Sequence, residues 1–126
     1  MKPKGKRNFI SSVRDCLNGF SYIVSSEHNF KREIALGILA LVLSVVLKVT
    51  KLEFIIILLV IALVIVSEIF NTAIEKVVDL YTKDYNEIAR IAKDVSALAV
   101  LTMCTFALAI GGIIFLPKII NLLGSV

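Results

Sequence analysis

Residues 95–117 run for 23 positions without a charged side chain, and about 20 such residues carry a helix across a bilayer core. A backbone in hydrocarbon must satisfy its own polar groups, so this segment is expected to be a transmembrane helix. Two further charge-free runs, residues 34–47 and 54–67, have 14 residues each. Either alone is ambiguous. Beside the third they read as spans with polar ends, flanked by Glu33 and Lys48 and by Glu53 and Glu68. With 58% hydrophobic and 19% charged residues in 126, the chain is more apolar than a soluble domain. It is also too short to hold separate substrate and nucleotide domains of the soluble kinds, so any chemistry must be built on few elements. The expected fold is an all-α membrane protein with one domain, residues 1–126, having a surface helix near 8–25 and three spans near 32–50, 52–80 and 92–117.

Lys2, Lys4, Lys6, Arg7, Arg14, Lys31, Arg32, Lys76, Lys83, Arg90 and Lys93 fall on one side of these spans, and Lys48, Lys51 and Lys118 on the other. The positive-inside rule then places the amino terminus in the cytoplasm and the carboxyl terminus outside. The basic side is expected to meet anionic lipid head groups, and nucleic acid is not an expected partner. Of the 10 acidic residues, all but Glu53 also lie on the inner side. The rule does not weigh acids, so this asymmetry needs a separate cause, and catalysis is one candidate.

The basic start MKPKGKRN leads into a mixed segment without an unbroken apolar stretch, so no secretory signal is expected. Phe9, Ile10, Val13, Leu17, Phe20 and Val24 recur at helical spacing, with Ser11, Arg14, Asp15, Asn18 and Ser21 between them. This is the pattern of an amphipathic helix, either lying in the inner interface or packed on its own spans. Cys16 and Cys104 lie in different environments, so neither a disulfide framework nor a cysteine zinc site is expected, and both read as structural.

The segment SEIFNTAIEKVVDL, residues 67–80, carries the chemistry. At about 100° per residue, Glu75 lies about 20° behind Glu68 and Asp79 about 20° ahead, with Asn71 and Thr72 within about 60° of the line. Ile69, Phe70, Ile74, Val77 and Val78 keep the rest of the helix apolar. A carboxylate in hydrocarbon costs about 2.5–3.5 kcal/mol at the centre of a span and less toward the interface. Lys or Arg from neighbouring helices would compensate for it. A repeated carboxylate face is equally what a divalent cation or a general base requires. Two weaker clusters lie beside it. SEHNFKRE, residues 26–33, carries Glu27 and Glu33 with the only histidine, His28, and KDYNEIARIAKD, residues 83–94, carries Asp84, Tyr85, Asn86, Lys93 and Asp94. The second could bind a nucleotide or be a polar loop. No GxxxxGK[ST] is present, which excludes a P-loop.

Together the clusters resemble the prokaryotic diacylglycerol kinase and undecaprenol kinase family of small three-span lipid kinases. The resemblance rests on E-x-x-N-x-A-I-E-x-x-V-D over residues 68–79, A-K-D over 92–94 and E-x-N-F over 27–30, and it covers roughly residues 8–120. The forms EHNFK and IIFLPK look more like the Gram-positive branch, chiefly undecaprenol kinase. The resemblance implies transfer of the ATP γ-phosphoryl group to a lipid hydroxyl at the cytoplasmic face of a bacterial membrane, in a homotrimer with shared sites. It implies Glu68 as the base, Asn71 placing it, and Asp79 close to the substrate. Glu27 and Glu75 would hold Mg²⁺ on the nucleotide phosphates, and Asp84, Tyr85, Asn86, Lys93 and Asp94 would contact the nucleotide. Asn86 stands where the Gram-negative form has His. Diacylglycerol in place of undecaprenol is the alternative acceptor.

A different class, a small oligomeric cation transporter or channel, would also use intramembrane acids. Against it, the acids crowd one end, and residues 34–47 and 54–66 contain Ser44 as their single polar side chain.

Overall fold

The computed structural model of the protein describes residues 8–124. The basic cluster Lys2, Lys4, Lys6 and Arg7, counted above toward orientation, lies outside the described residues. The chain is all-helical, with four helices: α1 (Phe9–Ser26), α2 (His28–Val46), α3 (Lys51–Tyr81) and α4 (Glu87–Gly124). Two of them, α3 and α4, are long and apolar enough to cross a membrane.

The helix boundaries have local causes. Glu27, in extended backbone at φ −105° and ψ 113°, ends α1 and begins α2. The end of α2 is closed by Lys48 in the left-handed region at φ 49°, with the Lys48 and Val49 N–H groups donating to the Val45 and Ser44 carbonyls. This is the usual way to satisfy the last carbonyls of a helix. A lysine there costs about 1 kcal/mol over a glycine. The second span, expected from near residue 52, begins as α3 at Lys51. Thr50 Oγ1 accepts from the Glu53 N–H, and Glu53 Oε2 accepts from the Thr50 N–H at 2.6 Å, so both orphan donors are satisfied reciprocally. At the far end, α4 continues through Pro117 to Gly124.

α3 and α4 form the principal antiparallel pair. Lys118 Nζ meets Glu53 Oε2 at 3.1 Å at one end, and Lys93 Nζ meets Asp79 Oδ1 at 2.5 Å at the other. α2 lies against α3 where Gly37 leaves room for Ile61; a Cβ there would stand 3.1 Å from Ile61 Cγ2. The buried apolar set among the described residues is small: Ile23, Phe30, Ile57 and Ile114. Ser44 is also buried, and its hydroxyl donates back to the Ala40 carbonyl at 2.7 Å, so it is satisfied inside its own helix.

Most large apolar side chains of α2, α3 and α4 face outward, among them Leu36, Val45, Leu59, Phe106, Leu108 and Ile113. Exposed apolar surface on this scale is not a water-facing surface. The stripe on α1 is likewise uncovered, with Phe9, Ile10 and Leu17 exposed. The end of α1 docks through buried Ile23 and an edge-on contact of Phe20 with Phe30 at 6.1 Å between ring centroids.

Candidate active site

The acidic line of α3 turns inward at Glu68, is half-buried at Glu75 and is exposed at Asp79. Glu68 is 3% exposed, Asn71 9% and Thr72 6%. Glu75, one turn on, accepts from Asn71 Nδ2 at 3.3 Å through Oε1. Glu68 feels the charges of both Glu75 and Glu27, and Glu33 of α2 feels that of Glu68. Carboxylates from α3, the α1–α2 junction and α2 therefore converge.

Little positive charge balances them. Among the described residues, the one ion pair in this group joins Lys76 Nζ to Glu27 Oε1 at 3.5 Å, with the same ammonium 5.9 Å from the centroid of the Tyr22 ring. The pairing of Glu68 and Glu75 with basic side chains, one of the two readings open from the sequence, is not formed among the described residues. Glu33 Oε2 is buried without a hydrogen-bond partner, and so is Thr72 Oγ1. Clustered like charges and an orphaned carboxylate oxygen in a water-poor site are what a hard cation relieves. No three His, Cys, Asp or Glu side chains among the described residues converge closely enough to hold an ion unaided.

Two hollows meet here. A cleft of about 340 Å³ is lined by Glu68 and Asn71 of α3, Asn29, Arg32 and Glu33 of α2, and Cys104 of α4. A cavity of about 380 Å³ runs along α2, α3 and α4 among Ile57, Ile61, Val64, Ile110 and Phe115. Glu33 and Cys104 line both, so the apolar cavity opens at the acidic cleft.

The remaining residues named from the sequence lie at the α3–α4 end. Asp79 and Lys93 pair directly. Asp94 is tied to Arg90 Nη1 at 2.8 Å, and Arg90 Nη2 also meets Glu87 at 2.7 Å. In the connecting loop, the Tyr85 hydroxyl donates to Glu87 Oε2 at 2.6 Å, and the Asp84 N–H donates to Thr82 Oγ1 at 3.1 Å. Asn86 Oδ1 accepts the Ala89 N–H at 3.0 Å and caps the start of α4. Asp84, Tyr85 and Asn86 are exposed and do not line the cleft of Glu68.

Several residues at the site went unseen in the sequence. In the sequence Glu33 reads as a flanking charge, and Lys76 and Arg90 bear only on orientation. Ser96 had no signal at all. It is 6% exposed, and its hydroxyl reaches Asn71 Oδ1 at 2.7 Å.

Comparison with known proteins points one way. The family model for prokaryotic diacylglycerol kinase matches residues 14–115. A diacylglycerol kinase of Synechocystis sp. is 33% identical over 117 residues, covering 92% of this chain and 67% of that one. An undecaprenol kinase of Bacillus subtilis is 33% identical over 123 residues, covering 94% and 100%. A diacylglycerol kinase of Haemophilus influenzae is 30% identical over 115 residues, covering 90% and 98%.

Proposed function

The chain belongs to the prokaryotic diacylglycerol kinase family and is a lipid kinase, and from that premise we propose that it phosphorylates undecaprenol at the cytoplasmic face of a bacterial membrane. The observation that carries this reading is the buried Glu68 carboxylate in a cleft that shares Glu33 and Cys104 with an adjoining apolar cavity. A polyisoprenyl tail lies in such a cavity at little cost, and its terminal hydroxyl is delivered to the acid. A relative named undecaprenol kinase that is matched over its whole length supports the same acceptor.

In this reading Glu68 takes the proton of the lipid hydroxyl as its oxygen attacks the γ-phosphorus of ATP. The bond from that phosphorus to the β–γ bridging oxygen breaks, ADP departs, and the lipid phosphate remains. Asn71 fixes the place of attack. Glu27 and Glu75 would hold Mg²⁺, which would supply neutralisation of phosphate charge. Lys93 has its ammonium on Asp79 and shifts to the nucleotide phosphates, with Asp94, Asp84, Tyr85 and Asn86 around the nucleotide. Phosphoryl transfer needs little beyond this, because positioning and electrostatic neutralisation supply most of the rate.

We also place α2 in the membrane as the third span, with α1 in the cytoplasmic interface, where exposed Phe9, Ile10 and Leu17 enter the acyl boundary. Arg14 and Lys31 meet anionic head groups there. Glu68 lies about 21 Å along α3 from Phe54 at 1.5 Å per residue, near the inner edge of a core about 30 Å thick. Three copies share their sites, since one chain this short offers few walls to ATP.

The test is transfer of label from γ-labelled ATP with Mg²⁺ in mixed micelles, offering undecaprenol and diacylglycerol separately. Faster labelling of undecaprenol is expected. Preference for diacylglycerol keeps the mechanism and overturns the acceptor, and labelling of neither by assembled protein overturns the site. In the same assay Lys93→Ala is expected to raise the KM for ATP by roughly 10-fold, the effect of losing one charge-assisted contact, while the lipid KM stays put. Equal rises in both would remove Lys93 from the nucleotide.

A further inference from the structure

Ser96 lies one turn past Lys93 on α4 and belongs to none of the motifs of the chain, yet it is among the few buried polar side chains. Its hydroxyl has one proton and two acceptors in reach, Asn71 Oδ1 at 2.7 Å and the Lys93 carbonyl at 2.9 Å. The other end of the Asn71 amide decides between orientations. Nδ2 donates to Glu75 Oε1 at 3.3 Å. Turned by half a rotation, the amide would set its carbonyl against the carboxylate, two acceptors face to face. The Glu75 carboxylate, an acceptor only, sets the orientation, and the Ser96 hydroxyl anchors the other end of the amide in place. Asn71 is 9% exposed, so water is a poor substitute for that donor.

We infer that Ser96 is a positioning residue for cation binding: across the α3–α4 interface it holds the Asn71 amide so that its N–H aims the Glu75 carboxylate. The inference rests on the reading of Glu75 as an Mg²⁺-holding residue. Groups that orient a metal-holding carboxylate through hydrogen bonds matter nearly as much as the ligand itself, and their loss weakens metal binding by roughly 10- to 100-fold. Ser96 acts through one intervening amide, which places it at the lower end of that range.

The experiment measures Mn²⁺ binding to the detergent-solubilised protein with a non-hydrolysable ATP analogue, by the paramagnetic resonance of the free ion, alongside Mg²⁺ titrations of phosphoryl transfer. Ser96→Ala is expected to weaken Mn²⁺ binding by roughly 10-fold and to raise the half-saturating Mg²⁺ in step, with the lipid KM unmoved. Ser96→Thr, which keeps the hydroxyl, is expected to restore binding. In an Asn71→Ala background, Ser96→Ala should add nothing. Normal Mn²⁺ binding by Ser96→Ala, with weakened binding by Glu75→Gln, overturns the role of Ser96 alone. Normal binding by both overturns the metal role of Glu75 and this inference with it. Loss of turnover and lipid affinity together, without rescue by threonine, would make Ser96 a packing residue and overturn the inference too.

Discussion

Glu68→Ala is expected to lower phosphoryl transfer by roughly 10²- to 10⁴-fold, the contribution of a positioned general base, while the protein still folds and assembles. The two halves of this expectation have separate causes. Glu68 is buried at 3% exposure and lines the cleft that adjoins the apolar cavity, so its loss removes the base from the place where the hydroxyl is expected to arrive. It also sits in the field of Glu75 and Glu27 with no ion pair among the described residues. Removing a like charge from such a cluster relieves repulsion, so the fold should lose nothing and may be checked by thermal unfolding in detergent. Glu68→Gln separates shape from basicity: it keeps the side-chain volume and should be as inactive as alanine. Turnover measured at saturating ATP, lipid and Mg²⁺ decides the matter, and near-normal rates in Glu68→Ala would sink the assignment.

Much of the all-helical fold was legible because hydropathy and helical spacing are local properties. The inward face of α3 was legible for the same reason, since Glu68, Asn71, Thr72 and Glu75 share one helix and recur at its period. The start of α3 was legible too but was not read: Thr50 and Glu53, three residues apart ahead of an apolar run, are the sequence signature of the reciprocal cap found there. Continuation of α4 through Pro117 ran against the usual rule that proline ends a helix. What no local pattern contains is the register between helices. The contacts of Ser96 with Asn71, of Lys93 with Asp79 and of Lys118 with Glu53 depend on how α3 and α4 slide past each other. Asp79 and Lys93 were each singled out, but their pairing was not, and Ser96 has no chemistry of its own to draw notice. Glu33 was masked by its neighbours Lys31 and Arg32, which gave it the look of an interfacial charge, and only the packing of α2 shows its buried oxygen.

Glu75→Gln is expected to raise the Mg²⁺ needed for half-maximal transfer by roughly 100-fold, since it removes a ligand carboxylate where outer partners alone are worth 10- to 100-fold. Turnover should recover in part when Mg²⁺ is raised to saturation, because glutamine keeps the side-chain volume and an oxygen able to accept from Asn71 Nδ2. The local geometry survives and the charge does not, so the variant isolates electrostatics. Of the two residues proposed to hold the metal, Glu75 is expected to be the more sensitive, for a reason visible in its surroundings. Glu27 already has the Lys76 ammonium at 3.5 Å, which offsets part of its charge before any ion arrives. Glu75 has only a neutral amide, so a divalent cation changes its energy more. An Mg²⁺ titration that superimposes on that of the unaltered protein would remove Glu75 from the metal site, and a shift in the ATP requirement at fixed free Mg²⁺ would move it to the nucleotide instead.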